Sequence, residues 1–256
     1  MQRISLFTPG SSPKHVLAIG AHADDIEIGC GGTLLRLAAE HPDLKVSWVV
    51  LCSTPERRRE AEASAELFLA GVKDRTVVVK SHRDGYLPYA GAAVKDDFES
   101  LKALGSPDLV LTHYREDRHQ DHRAVSDLTW NTWRNHLVLE YEIPKWDGDL
   151  GSPAVFAALP AAVLEKKIEL LMKAFPSQAT KPWFTPDLFR ALPRIRGMEC
   201  VAPERLAEAF YCRKAMFLAS PRATRPRSGR RPCSTVSVSL RPPQNERRAP
   251  GGLAGP

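Results

Sequence analysis

The 256-residue sequence has no CxxC pair, and its five cysteines (Cys30, Cys52, Cys200, Cys212 and Cys233) are odd in number and scattered. A disulfide framework and a cysteine zinc site are set aside on that ground, and Cys30 reads as a small buried filler. No apolar run approaches the length of a membrane span. The opening residues MQRISLFTPGSSPKH contain no apolar stretch of signal-peptide length, so a cytoplasmic location is expected. GxGxxG and GxxxxGK followed by Ser or Thr are both missing, which argues against a nucleotide-phosphate loop. No internal repeat or linker is evident.

Net positive charge exists on paper but not in the body of the chain. The formal charge is +6, yet residues 220–256 alone carry eight arginines against the single acid Glu246, which leaves the rest near −1. The globular part is therefore not basic, and no nucleic-acid partner is expected. A basic segment of this kind can meet RNA or an acidic membrane. With seven prolines and almost no apolar periodicity, it reads as a disordered Arg/Pro-rich tail. Residues 1–219 are taken as one domain.

What is present is a rhythm. HVLAIGAH, KVSWVVLCS, RTVVVKS and PDLVLTHY are short apolar runs of the kind a strand buried on both faces needs. Helical patterns alternate with them. In TPERRREAEASAELFLAGV, Thr54 sits at the N-cap and Pro55 at the first helical position. The alternation predicts an α/β fold with a mostly parallel sheet and helices on both faces. After about residue 137 the pattern becomes irregular. LVLEYEIP and AVFAALP look like strands, AAVLEKKIELLMKAF like an amphipathic helix, and PDLFRALPRIRGMEC like a helix split by Pro193.

Ligands of open α/β sheets gather beyond the carboxyl ends of the strands. His22, Asp24 and Asp25 end the first strand; Asp117, His119, Asp121 and His122 follow the fourth. If those strands are neighbours, the two clusters meet. A divalent metal would neutralise the adjacent carboxylates and account for the imidazoles. Asp24 and Asp25 diverge, so one can ligate while the other faces water, and the same division applies to His119 and His122. The remaining histidines His15, His41, His82, His113 and His136 receive no role. Gly31 and Gly32 are expected to bring the backbone close to the metal and open the next helix.

AHADDIEIGCGGT together with DRHQDH resembles the LmbE-like, or PIG-L-type, family of zinc-dependent N-acetylglucosaminyl deacetylases, in order and spacing from residue 14 to about 215. The resemblance implies a Rossmann-like fold and one Zn²⁺ per chain, held by His22, Asp25 and His122. It implies Asp24 as general base, His119 at the carbonyl and leaving group, and Asp121 as the carboxylate beside it. Arg59 and Glu62 match the family's RxxE more loosely. Arg83 and Asp84, in SHRDGYLPYAG, are candidates for holding sugar hydroxyls, and Tyr86, Tyr89 and Trp146 for stacking. Ala23 departs from the family's usual proline, which bears on the stiffness of the loop.

The expected reaction is hydrolysis of the N-acetyl group of an amino sugar or sugar conjugate to a free amine and acetate. The expected partner is thus a small N-acetylated glycoconjugate, and a homo-oligomer is allowed. A zinc amidase acting on a non-sugar or thiol-conjugate amide is the near alternative. A non-haem iron oxygenase is the distant one, since its histidines and carboxylate usually form HxD on an antiparallel barrel. A sugar-binding protein with an idle site would not need both Asp24 and His119.

Overall fold

The computed structural model describes residues 13–216. The Arg/Pro-rich tail, and Cys233 within it, lie outside the described residues. Seven strands form one sheet in the order β3-β2-β1-β4-β5-β7-β6. β1 (His15–Gly20), β2 (Lys45–Cys52), β3 (Asp74–His82), β4 (Leu109–His113) and β5 (Leu137–Tyr141) are mutually parallel. β6 (Val155–Ala158) and β7 (Ala207–Tyr211) extend the sheet antiparallel. Every residue of β1 and β4 is buried, as their unbroken apolar runs require.

Helices α1 (Asp25–Glu40), α2 (Pro55–Phe68), α5 (Ala161–Ala174) and α6 (Pro186–Glu199) cover one face, with Leu34, Phe68, Leu171 and Phe189 in a common core. α3 (Gly91–Leu101) and α4 (Gln120–Thr132) cover the other through Val94, Phe98 and Val125. α2 starts as its sequence dictates: the Thr54 side chain accepts from Arg57 N at 3.2 Å and Pro55 occupies the first turn. None of the described helices is long and apolar enough to cross a membrane.

β1 lies between β2 and β4, so the chain reverses direction across the sheet there, and a crevice opens beyond their carboxyl ends. The adjacency required to unite the two polar motifs is thus present. Two sequence readings need correction. α6 runs through Pro193 unbroken; the missing amide costs a hydrogen bond, but buried Phe189, Leu192 and Arg196 anchor the helix on both sides. The glycines of GCGG do not open a helix, because α1 already starts at Asp25. They let it pack: a Cβ on Gly29 would run into the Tyr141 ring, and one on Gly31 would meet the Phe68 ring at 2.7 Å.

Candidate active site

The crevice is built from strand ends. β1 delivers His22 through Asp25, β4 delivers His113, and the first turn of α4 delivers Asp121 and His122. Asp24 caps α1 with φ 137°, a conformation a non-glycine residue rarely adopts, and its side chain makes no cap hydrogen bond. Its carboxylate instead meets Arg57 Nη2 at 2.8 Å, and the same nitrogen bonds the Ala23 carbonyl. Arg57 is itself held by Glu60 at 2.6 Å and by the Phe175 ring. This clamp ties the Ala23–Asp24 turn to α2.

Three acceptors converge in the centre. His122 Nδ1 lies 2.9 Å from Asp117 Oδ2, so the carboxylate fixes the ring proton on Nδ1 and leaves the Nε2 lone pair free. His22 Nε2 faces Asp121 Oδ2 at 3.1 Å and Asp84 Oδ1 at 3.0 Å, which leaves Nδ1 as its lone-pair nitrogen. Those two lone-pair nitrogens stand 3.2 Å apart. The Asp25 carboxylate is 3.4 Å from His22 Nδ1 and 3.5 Å from His122 Nε2. Acceptors turned toward one another need a proton or a cation between them, and two imidazoles with one carboxylate form a donor set suited to zinc or a similar divalent ion.

The protonation states agree with that arrangement. Burial, reinforced by His113, pushes His122 down to about 3, so its imidazole is neutral. Burial also disfavours the charged form of His22, but Asp121, Asp25 and Asp84 outweigh it and raise its pKa well above the usual value. A proton on His22 or a bound cation answers the same acids. Burial raises Asp24 to about 7 against the opposing pull of Arg57, with Asp25 adding to the rise. Asp25 is buried too, yet His122 and His113 hold it well below the ordinary carboxylate range. Adjacent carboxylates thus differ sharply in basicity.

His119 is the N-cap of α4; its Nδ1 accepts from Asp121 N at 3.3 Å, so its neutral ring carries the proton on Nε2. Burial and His22 keep its pKa low. Its ring is 4.8 Å from that of His22 and 4.6 Å from that of His122. Asp121 also accepts from Gly85 N at 2.6 Å and Leu87 N at 3.0 Å, fastening the segment that carries Asp84.

Of the residues singled out in the sequence, His22, Asp24, Asp25, Asp84, His119, Asp121 and His122 come together. Arg59 does not: it is exposed on α2, and Glu62 is exposed beside Arg58. The arginine that reaches the site is Arg57, and the acid three residues on is Glu60. Arg83 lies over the Tyr86 ring at 3.7 Å, on the rim. His113 was overlooked. Its Nε2 accepts from Ala21 N at 2.9 Å and is 3.1 Å from Asp25 Oδ2, and its ring stacks on His122 at 3.9 Å. Its place as the last residue of β4, at the same sheet edge, was the available signal. Glu27 was also missed: it is buried near Ser64, its oxygens have no hydrogen-bond partner among the described residues, and burial pushes it up to about 8.

Residues 17–133 match the sequence profile of the family described as PIG-L: GlcNAc-PI de-N-acetylase. An uncharacterized deacetylase of Escherichia coli strain K12, YaiS, is 28% identical over 188 residues, covering 66% of this chain and 95% of the relative. Among solved structures, the N,N'-diacetylchitobiose deacetylase of Pyrococcus horikoshii matches 81% of this chain and 86% of its own with a TM-score of 0.60 at 23% identity. GalB of Pseudomonas putida KT2440, a 4-carboxy-2-hydroxymuconate hydratase, matches 81% and 99% with a TM-score of 0.63 at 18% identity. At these identities the structural likeness establishes the fold alone, and the fold evidently serves more than one reaction.

Proposed function

We propose, for a chain whose residues 17–133 belong to the PIG-L (LmbE-like) family, that it is a metal-dependent N-deacetylase, releasing acetate from an N-acetylated amino sugar or sugar conjugate. The observation that carries this reading is the convergence of His22 Nδ1, His122 Nε2 and the Asp25 carboxylate beside a buried Asp24 whose pKa is about 7. His22, Asp25 and His122 would hold the ion, zinc being one that takes imidazole nitrogen with carboxylate oxygen. When bound, it would polarise the acetamide carbonyl and acidify a water.

The chain's own residues supply the proton handling and the positioning. Asp24 takes a proton from the attacking water; burial gives it the basicity for this near neutral pH, and Arg57 keeps it aimed. His119 donates from Nε2 to the oxyanion that develops on the carbonyl. The proton held by Asp24 passes to the departing amine. Asp117 and Asp121 hold His122 and His22 in the tautomers that ligation needs. Asp84 stands at the mouth of the crevice, where it can accept a sugar hydroxyl.

The test is acetate release from a panel of N-acetylated sugars and conjugates before and after chelation, with Zn²⁺, Mn²⁺ or Fe²⁺ restored. Chelator-sensitive release rescued by one of these ions is expected. Turnover untouched by chelation, or hydrolysis confined to non-sugar amides, would overturn the reading.

A further inference from the structure

We propose that a cleft beyond β5 is a second binding subsite that takes an apolar, aromatic aglycone of the substrate. The inference rests on the deacetylase reading and names the part of the substrate that does not react. The cleft has a volume of about 550 Å³ and lies between the segment that follows β5 and the start of α6. Trp146, Trp183, Pro144, Pro182, Leu150 and Leu188 supply its apolar walls. Trp146 is 74% exposed and Leu150 43%. A tryptophan this open, gathered with other apolar side chains around a concavity, is the composition of a ligand pocket rather than of an ordinary surface.

The cleft is already formed. On one side, Lys145 and Asp149 pair at 2.5 Å, and Asp149 accepts from Arg118 N at 2.7 Å. On the other, the Thr185 side chain caps α6 by accepting from Leu188 N at 3.3 Å, between the buried rings of Phe184 and Phe189. A ligand would not have to order these walls on binding.

Its position ties it to the reaction. The segment after β5 leaves the same sheet edge as His113. Lys145 Nζ lies 2.9 Å from Asp117 Oδ2, the oxygen that holds His122 Nδ1 at 2.9 Å. Lys145, on the wall of the cleft, is therefore two polar contacts from an imidazole that would ligate the ion. A substrate whose acetamide sits in the crevice can extend its far end over Lys145.

The chemistry of the walls selects the occupant. Lys145, Asp149 and Thr185 are already engaged with one another or with backbone, and Asp187 is exposed beside Arg190 at 3.7 Å. Apart from the exposed Asp187, these side chains leave few partners for the hydroxyls of a second sugar ring, whose burial without partners is costly. A flat apolar ring between tryptophans loses nothing of that kind.

The experiment compares kcat/KM for the methyl and phenyl β-glycosides of N-acetylglucosamine and for N,N'-diacetylchitobiose. In parallel, tryptophan fluorescence is titrated with phenyl β-glucoside, which has no acetamide. The phenyl glycoside is expected to be favoured over the methyl one by roughly 10- to 100-fold, mainly through KM, as for burial of one aromatic ring. That ratio should fall toward one in Trp183→Ala and in Trp146→Ala, with circular dichroism reporting the fold; exposed Trp146 serves should Trp183→Ala not fold. Saturable quenching by phenyl glucoside should vanish in the same variants. Equal kcat/KM for the two monosaccharide glycosides overturns the proposal. A preference for the chitobiose that depends on both tryptophans also overturns it, in favour of a saccharide subsite. Quenching without turnover of any N-acetyl sugar supports the aromatic subsite while removing the deacetylase reading.

Discussion

Helix α1 bears two buried charged clusters, and they are completed in different ways. Midway along it, Glu208 of β7 accepts four hydrogen bonds: from Gly32 N at 2.8 Å, Lys167 Nζ at 2.7 Å, and Thr33 N and Oγ1 at 2.6 Å each. Lys167 also donates to the Ile28 carbonyl at 2.7 Å. Every charge there has its partner within the protein. At the start of the same helix, His22, His122 and Asp25 face one another with acceptor against acceptor, beside a strained Asp24. Burial of charge alone therefore does not mark a functional site in this molecule. Burial left electrostatically incomplete does, because completion has to come from outside the chain.

The contrast can be broken by substitution at either end. Asp24→Asn should lower kcat by about 10²–10⁴-fold, the usual contribution of general acid–base catalysis, without altering the melting temperature much. Lys167→Ala should do the reverse kind of damage. It leaves Glu208 buried with one partner missing, and equilibrium unfolding should show a loss of about 3–5 kcal/mol. A smaller effect is expected at His113, whose Nε2 lies 3.1 Å from Asp25 Oδ2. His113→Gln should weaken metal affinity by about 10- to 100-fold in a competition assay with a chromophoric chelator.

A pH-dependent effect concerns Glu27. Its folded pKa of about 8 lies above its ordinary value of 4.5, so the folded state binds the extra proton. Its contribution to stability is complete below pH 4.5 and fades as pH rises through 8. Glu27→Gln should flatten the fall in stability between those values. Identical pH profiles for the two proteins would show that Glu27 is not held neutral.

Much of this was legible in the sequence, and the gaps have physical causes. The strands could be read because double-sided burial demands unbroken apolar runs, and α2 because Thr54 and Pro55 are cap chemistry. HADD and DRHQDH could be read because so many ligand-type residues at strand ends are rare. That β1 and β4 are neighbours is a matter of long-range pairing, which no local pattern encodes. His113 looked like any lone histidine; its contacts with Ala21 N, Asp25 and the His122 ring, all distant in sequence, give it a place. Arg57 and Arg59 are two residues apart in a run of three arginines, about 200° around a helix, so an error in register puts the wrong one at Asp24. The glycines of α1 were misread because the rings that need their missing side chains, Tyr141 and Phe68, come from distant elements.

The central claim is that the incomplete end of α1 is completed by a metal ion on Asp25 and not on Asp24. Metal content by atomic spectroscopy of purified Asp24→Asn and Asp25→Asn tests it most directly. One equivalent in Asp24→Asn and little or none in Asp25→Asn is the predicted result. A metal-free Asp24→Asn with a fully loaded Asp25→Asn would contradict the account.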